Sequence, residues 1–270
     1  MANPAFNNSP AFKGSAPTMT AAQLDELYGR PAATEGDRPA AQPVLLPVEE
    51  RMTYEDTIVK TLVAFAVLVV GAVVGWMIPA LAIVGALVGF VLALVNIFKK
   101  MPSKALILTY ALFEGLFVGG ISAIFNSMWD GIVAQAVFGT LGVVGVTLAL
   151  FLSGKVRATP KMTKIFLVAM VGYAAFSLVN FGLMMFGATD SMFGLRSYEI
   201  MGIPLGVIIG LFVVLLAAYS LVMDFENVKT GVERGVPRIF GWQAAFGIMV
   251  TVVWLYTEIL RILAIFNSNN

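Results

Sequence analysis

From Thr57 onward the chain is a succession of apolar runs of about 20 residues, each long enough to cross the roughly 30 Å hydrocarbon core of a bilayer as a helix. They lie near 58–78, 80–98, 105–125, 131–153, 165–187, 200–224 and 239–266. No other feature constrains the fold as much, because in lipid every backbone N–H and C=O must be satisfied within a helix or a closed barrel. The ten-residue alternating strands of a barrel are missing, which leaves an all-α membrane protein, a seven-transmembrane-helix bundle over residues 53–270. Pro79, Pro102, Asn126 with Asp130, Pro160, and Gly231 to Pro237 punctuate the runs where loops are needed.

Residues 1–52 read differently. They hold seven of the twelve prolines and the paired motifs NPAF and SPAF, and are expected to form a disordered cytoplasmic tail. A short helix from Thr20, with Leu24 and Leu27 on one face, fits within it as either a transient element or a docking element for a membrane-protein partner. Some fifty polar residues precede the first apolar run, so no cleavable signal peptide is expected.

Orientation follows from the basic residues. If seven spans alternate, the loops with Lys99, Lys100 and Lys104, with Lys155, Arg157, Lys161 and Lys164, and with Lys229, Arg234 and Arg238 share one side. The other side offers only Arg196. The excess of Lys and Arg predicts a multi-pass protein of a bacterial inner membrane, its N-terminus cytoplasmic and its C-terminus extracytoplasmic. Glycines four residues apart (Gly71 and Gly75, Gly85 and Gly89, Gly115 and Gly119, Gly202 with Gly206 and Gly210) predict close helix crossings, within the bundle or between two copies.

The chain has no histidine and no cysteine. This removes the usual neutral-pH sensor, the usual transition-metal ligands and a thiol nucleophile. There is no phosphate-binding loop either, and the net charge of +1 offers nothing to nucleic acid, so no enzyme and no cofactor are expected.

What remains is carboxylates inside the spans. Glu114, in LTYALFEGLFVGG, lies ten residues past Lys104, about 15 Å into the core and near the midplane. A charge there costs about 2.5–3.5 kcal/mol on the insertion scale, so such an acid is wet, partnered or neutral, and marks an ion path or a pH-sensing group. Asp224 closes the sixth run, where helix is expected to continue about two turns beyond the membrane and stop at glycine. Glu258 and Arg261, three residues apart, share a helix face and can pair as an outer gate or as a self-neutralising couple. Thr251 lies two turns before Glu258 on a similar face.

Seven spans, the stretch FEGLFVGGIS from Phe113 to Ser122, and Asp224-x-x-x-Val228-x-x-Gly231 at the end of the sixth span resemble the transmembrane Bax inhibitor motif family, bacterial branch, over about residues 55–266. The resemblance implies six helices around a central last helix. It also implies a pH-regulated calcium leak, in which the sixth-span acid, Asp224, pairs with a second acid on the last helix and closes a cytoplasmic-side gate. Aligning Arg261 with the family's basic residue puts Thr251 where that second acid would stand, which leaves Glu258 as an acid from a deeper turn and Glu114 as the candidate sensor. The expected site is thus Glu114, Asp224 and Glu258 for ions and pH, with Arg261 and Thr251 at the gates and transient calcium contacts at Asp224 and Glu114. Calcium suits this set because it takes oxygen ligands. A non-channel scaffold or regulator of a membrane protease or stress-response complex, docking through the tail, is the alternative, and a proton-coupled transporter is third.

Overall fold

The computed structural model describes residues 50–189 and 191–268. The tail and its short helix from Thr20 lie outside the described residues. Seven helices, all long and apolar enough to span a membrane, follow in order: α1 Tyr54–Met77, α2 Leu81–Phe98, α3 Lys104–Met128, α4 Ile132–Leu152, α5 Pro160–Met185, α6 Leu205–Glu233 and α7 Phe240–Ser268. Their outward faces carry large apolar side chains such as Leu62, Val69, Leu87, Phe90, Phe138, Val168, Leu178, Leu211 and Leu215. Water does not tolerate that much continuous apolar surface, whereas lipid does.

The ends follow local chemistry. Thr53 caps α1 by accepting the Asp56 N–H at 3.2 Å, with Glu55 and Asp56 complementing the helix dipole. Thr159 caps α5 ahead of Pro160, whose missing N–H costs nothing at that position. Helix α6 does run on past its apolar stretch, but Gly231 is a buried residue inside it rather than its stop. The chain turns at Gly235, with φ +61°, where the Gly235 N–H donates to Val232 O and the Val236 N–H to Gly231 O. This reciprocal pair satisfies the last carbonyls of the helix.

Most of the glycine pairs are explained within the chain. A Cβ at Gly71 would overlap the Leu112 carbonyl, and one at Gly119 the Ala72 carbonyl, so α1 and α3 cross with their backbones nearly touching. Gly85 and Gly89 seat α2 on the other side of α3, against Phe113 O and the Glu114 carboxylate. Gly202 departs from the helical pattern. It sits with Met201 in the turn of a two-stranded hairpin, β1 Glu199–Ile200 and β2 Ile203–Pro204, so the sixth helix starts only at Leu205.

Helix α7 is central. Half of its most apolar stretch is buried, against 11% for α5. Helices α6, α1, α4 and α3 pack on it directly, α5 reaches it through Tyr173, and α2 leans mainly on α3. The segment before α1 closes one end of the bundle: the Met52 N–H donates to Val236 O and the Arg238 N–H to Glu50 O. That end, which also carries loops 99–103 and 153–159, is called the basic end below.

Candidate functional site

Residues 206, 210, 213, 217, 220 and 224 recur every three or four positions and turn one face of α6 toward α7. Along this contact, polar and apolar levels alternate.

At the level nearer the basic end, Asp224 is wholly buried, and the Thr251 hydroxyl donates to its Oδ2 at 2.6 Å. Ser220 Oγ lies 3.3 Å from the same hydroxyl. The position aligned with a second acid is therefore filled by a neutral donor that hydrogen-bonds the first. One turn further, Ala217, Leu221 and Leu255, all fully buried, close the contact with hydrocarbon.

Seven residues beyond Thr251, about 10 Å along the helix, comes Glu258, also wholly buried. Its Oε2 accepts from Tyr173 Oη at 2.7 Å and from Arg261 Nη1 at 2.6 Å. Its Oε1 faces Arg196 Nη1 at 3.7 Å. Arg196 comes from the turn Gly194–Ser197, and its Nη2 donates to Tyr173 Oη at 3.2 Å and Ser177 Oγ at 3.0 Å. The expected Glu258 and Arg261 pair is present, and a second guanidinium joins it. Two cations on one carboxylate leave this level positive. Burying such a group is costly unless its atoms are paired, and here Arg196 Nη1 and Glu258 Oε1 have no hydrogen-bond partner.

Glu114 stands apart from this line. It lies in the seam between α2 and α3, where a Cβ at Gly89 would come 3.1 Å from Oε2, with Tyr110 of the preceding turn of α3 as its electrostatic neighbour. The Tyr110 ring packs edge-on against Phe246 of α7, with centroids 5.0 Å apart. The structure thus brings Asp224 together with Thr251, and Glu258 with Arg261, while Glu114 meets the central helix through Tyr110. Among the described residues no three Asp or Glu side chains cluster to hold a metal.

The basic end carries its own network. Asp56 Oδ1 accepts from Arg238 Nε at 2.8 Å and lies 2.7 Å from Nη2, while Lys60 bonds Asp56 and the Arg238 carbonyl. The Asp56 carboxylate stabilises the Arg238 cation and raises its pKa. Lys60 and Lys104 both lie over the Trp242 ring, at 5.9 and 5.5 Å. A cavity of about 500 Å³ opens between α1 and α4 and reaches α7 at Val252, Val253 and Tyr256. Its walls are apolar apart from hydroxyls such as the Ser122 and Tyr256 pair at 2.6 Å, so it offers a cation no charge.

Sequence reasoning missed Arg196, Tyr173 and Ser220 as site residues. Arg196 had a signal, as the lone basic residue on its side of the bundle. Tyr173 and Ser220 had none, since a hydroxyl in an apolar run is common.

A buried polar line on the central helix of a seven-helix bundle defines a multi-pass membrane protein of the channel or regulator class. The chain belongs to the Bax inhibitor 1 like family, whose model matches residues 3–268. The match starts near the N-terminus, so it takes in the tail that the resemblance from about residue 55 left out. No curated protein and no solved structure matches the chain.

Proposed function

We propose that the protein is a regulated cation leak of the bacterial inner membrane, with calcium as its preferred ion and the basic end in the cytoplasm. The observation that carries this reading is the pair of buried carboxylates, Asp224 and Glu258, at two levels of one helix contact and separated by Leu221 and Leu255. Buried acids facing the bundle interior are costly and are retained where ions or protons move. On this reading the Asp224 and Thr251 hydrogen bond closes one end of the line and the Glu258, Arg196 and Arg261 cluster closes the other. Without histidine, pH enters through carboxylates, and Glu114, in the α2/α3 seam against Gly89, is the proposed sensor. Calcium uptake into vesicles holding the purified protein tests the proposal. Native protein should leak slowly and Asp224→Ala faster; equal, background-level uptake in both would refute it.

A second reading, a scaffold for a membrane protease or stress-response complex, draws on the family match reaching residue 3. Deleting residues 1–52 separates the two. Loss of the cellular phenotype with ion flux intact would favour the scaffold.

A further inference from the structure

A loop arginine ordinarily keeps its head in water while its stem lies along apolar surface. Arg196 does the reverse: it is 5% exposed, and its guanidinium is inside the bundle. Several independent features hold it there. Asn180 clamps the loop, its Oδ1 accepting the Leu195 N–H at 2.7 Å and its Nδ2 donating to Phe193 O at 3.2 Å. Gly194 adopts φ +61°, and a Cβ there would strike Asn180. Gly206 on α6 makes room for the incoming backbone, since a Cβ there would lie 2.9 Å from Arg196 O and 3.0 Å from Arg196 Cβ. The rings of Tyr173 and Phe176 flank the guanidinium at 5.4 and 5.5 Å.

We propose that Arg196 is a tethered cation that occupies the outer carboxylate, Glu258, and thereby decides whether inorganic cations can enter from the face bearing loop 186–204. Four properties of the site fit. Glu258 Oε1 has no hydrogen-bond donor and faces Arg196 Nη1 across 3.7 Å, a gap held by charge rather than by a closed hydrogen bond. Arg261 binds the other oxygen, so Glu258 keeps a partner when Arg196 leaves. Arg196 is the sole basic residue of its loop and is carried on a turn, the kind of element that can withdraw as a unit. Gly210 lies opposite, where a Cβ would be 3.6 Å from Glu258 Oε1, so no side chain of α6 replaces the arginine once it moves. With Arg196 seated, the level carries excess positive charge and repels cations. With Arg196 withdrawn, one arginine balances one carboxylate and that repulsion falls. The inference deepens the reading of Glu258 as a group on the ion path and rests on it.

The natural chain has no cysteine, which permits a test that does not depend on flux. Val213 is fully buried on the α6 face one turn past Gly210, so a reagent entering from the loop 186–204 side must pass Arg196 to reach it. Val213→Cys in the full-length protein is exposed from that side to cationic aminoethyl and anionic sulfonatoethyl methanethiosulfonate. In the otherwise native chain both should react slowly. Adding Arg196→Ala should raise the cationic reagent's rate at least tenfold and the anionic reagent's rate less. Asn180→Ala, which loosens the clamp but keeps the arginine, should raise the cationic rate as well and guards against misfolding of the Arg196 variant. Equal rates with and without Arg196, or no reaction in either loosened variant, would overturn the proposal. Increased labelling without calcium flux would leave this inference standing and refute the leak.

Discussion

Thr251 donates its hydroxyl to Asp224 across the α6 and α7 contact at 2.6 Å, in the place where family resemblance implies a second carboxylate. Two carboxylates at that distance share one proton when closed and repel each other once both ionise. A threonine and an aspartate have no such mutual repulsion. Thr251→Asp should therefore create a gate whose calcium leak rises steeply as pH increases through the neutral range, beyond any pH response of the native protein. Flux in vesicles at a series of pH values checks this; parallel profiles for both proteins would remove Asp224 from the gate.

The same hydrogen bond can be deleted from either side. Thr251→Val keeps the side-chain shape but removes the donor, and leaving a buried acceptor short of one partner costs about 1–3 kcal/mol. Thr251→Ser keeps the donor. Leak should rise in Thr251→Val and in Asp224→Ala but stay near native in Thr251→Ser. A Ser variant as leaky as the Val variant would assign the closure to packing instead.

At the other level, Glu258→Gln removes the charge that balances Arg196 and Arg261. Breaking a buried ion pair from one side costs about 3–5 kcal/mol, because the partner stays buried and uncompensated. Glu258→Gln should lower the thermal midpoint in detergent more than Arg196→Ala does. The double variant should be more stable than the sum of the two losses predicts, with a coupling of about 1–3 kcal/mol. Additive losses would show that the two groups do not interact.

The seven spans were legible because lipid imposes one rule on every backbone group, and apolar length reports obedience to it. The glycine seams were legible for a similar reason: Gly71, Gly115 and Gly119 mark where backbones touch, although sequence could not choose between partners within and between chains. The site was only half legible. Glu258 with Arg261 could be read because three residues on one helix share a face, whereas Thr251 opposite Asp224 came from the family resemblance, which placed it where a second acid would stand. Arg196 could not, since its burial depends on a clamp from Asn180 and a gap at Gly206 that lie 16 and 10 residues away in sequence and on different elements. Glu114 was readable in depth but not in direction, and direction placed it in the α2 and α3 seam.

The glycines separate into two kinds that substitution should distinguish. Gly119→Val would drive a side chain into the Ala72 carbonyl and force α1 from α3, a loss of about 3 kcal/mol by overpacking. Gly145, mid-helix in α4, has nothing within 4 Å of an added Cβ. Gly145→Ala should be neutral or stabilise by up to about 1 kcal/mol through helix propensity. Thermal unfolding in detergent reads both; equal effects would discard the seam as the reason for Gly119.

Glu114 yields the sharpest test of pH sensing. Tyr110, one turn before it on α3, is its electrostatic neighbour, and the Tyr110 ring lies against Phe246, so a change in protonation at Glu114 would be felt at the basic-end half of the central helix through that ring. Glutamine mimics the protonated acid in shape and lack of charge. On the proposed function, Glu114→Gln should flatten the pH dependence of calcium leak across the neutral range while leaving ion selectivity unchanged. Tyr110→Phe, which removes the hydroxyl beside Glu114 but keeps the ring on Phe246, should shift the pH response without abolishing it. A native pH profile in Glu114→Gln would end the sensor assignment. A changed selectivity would instead place Glu114 on the path, and the line of polar groups between α6 and α7 would then need a second branch.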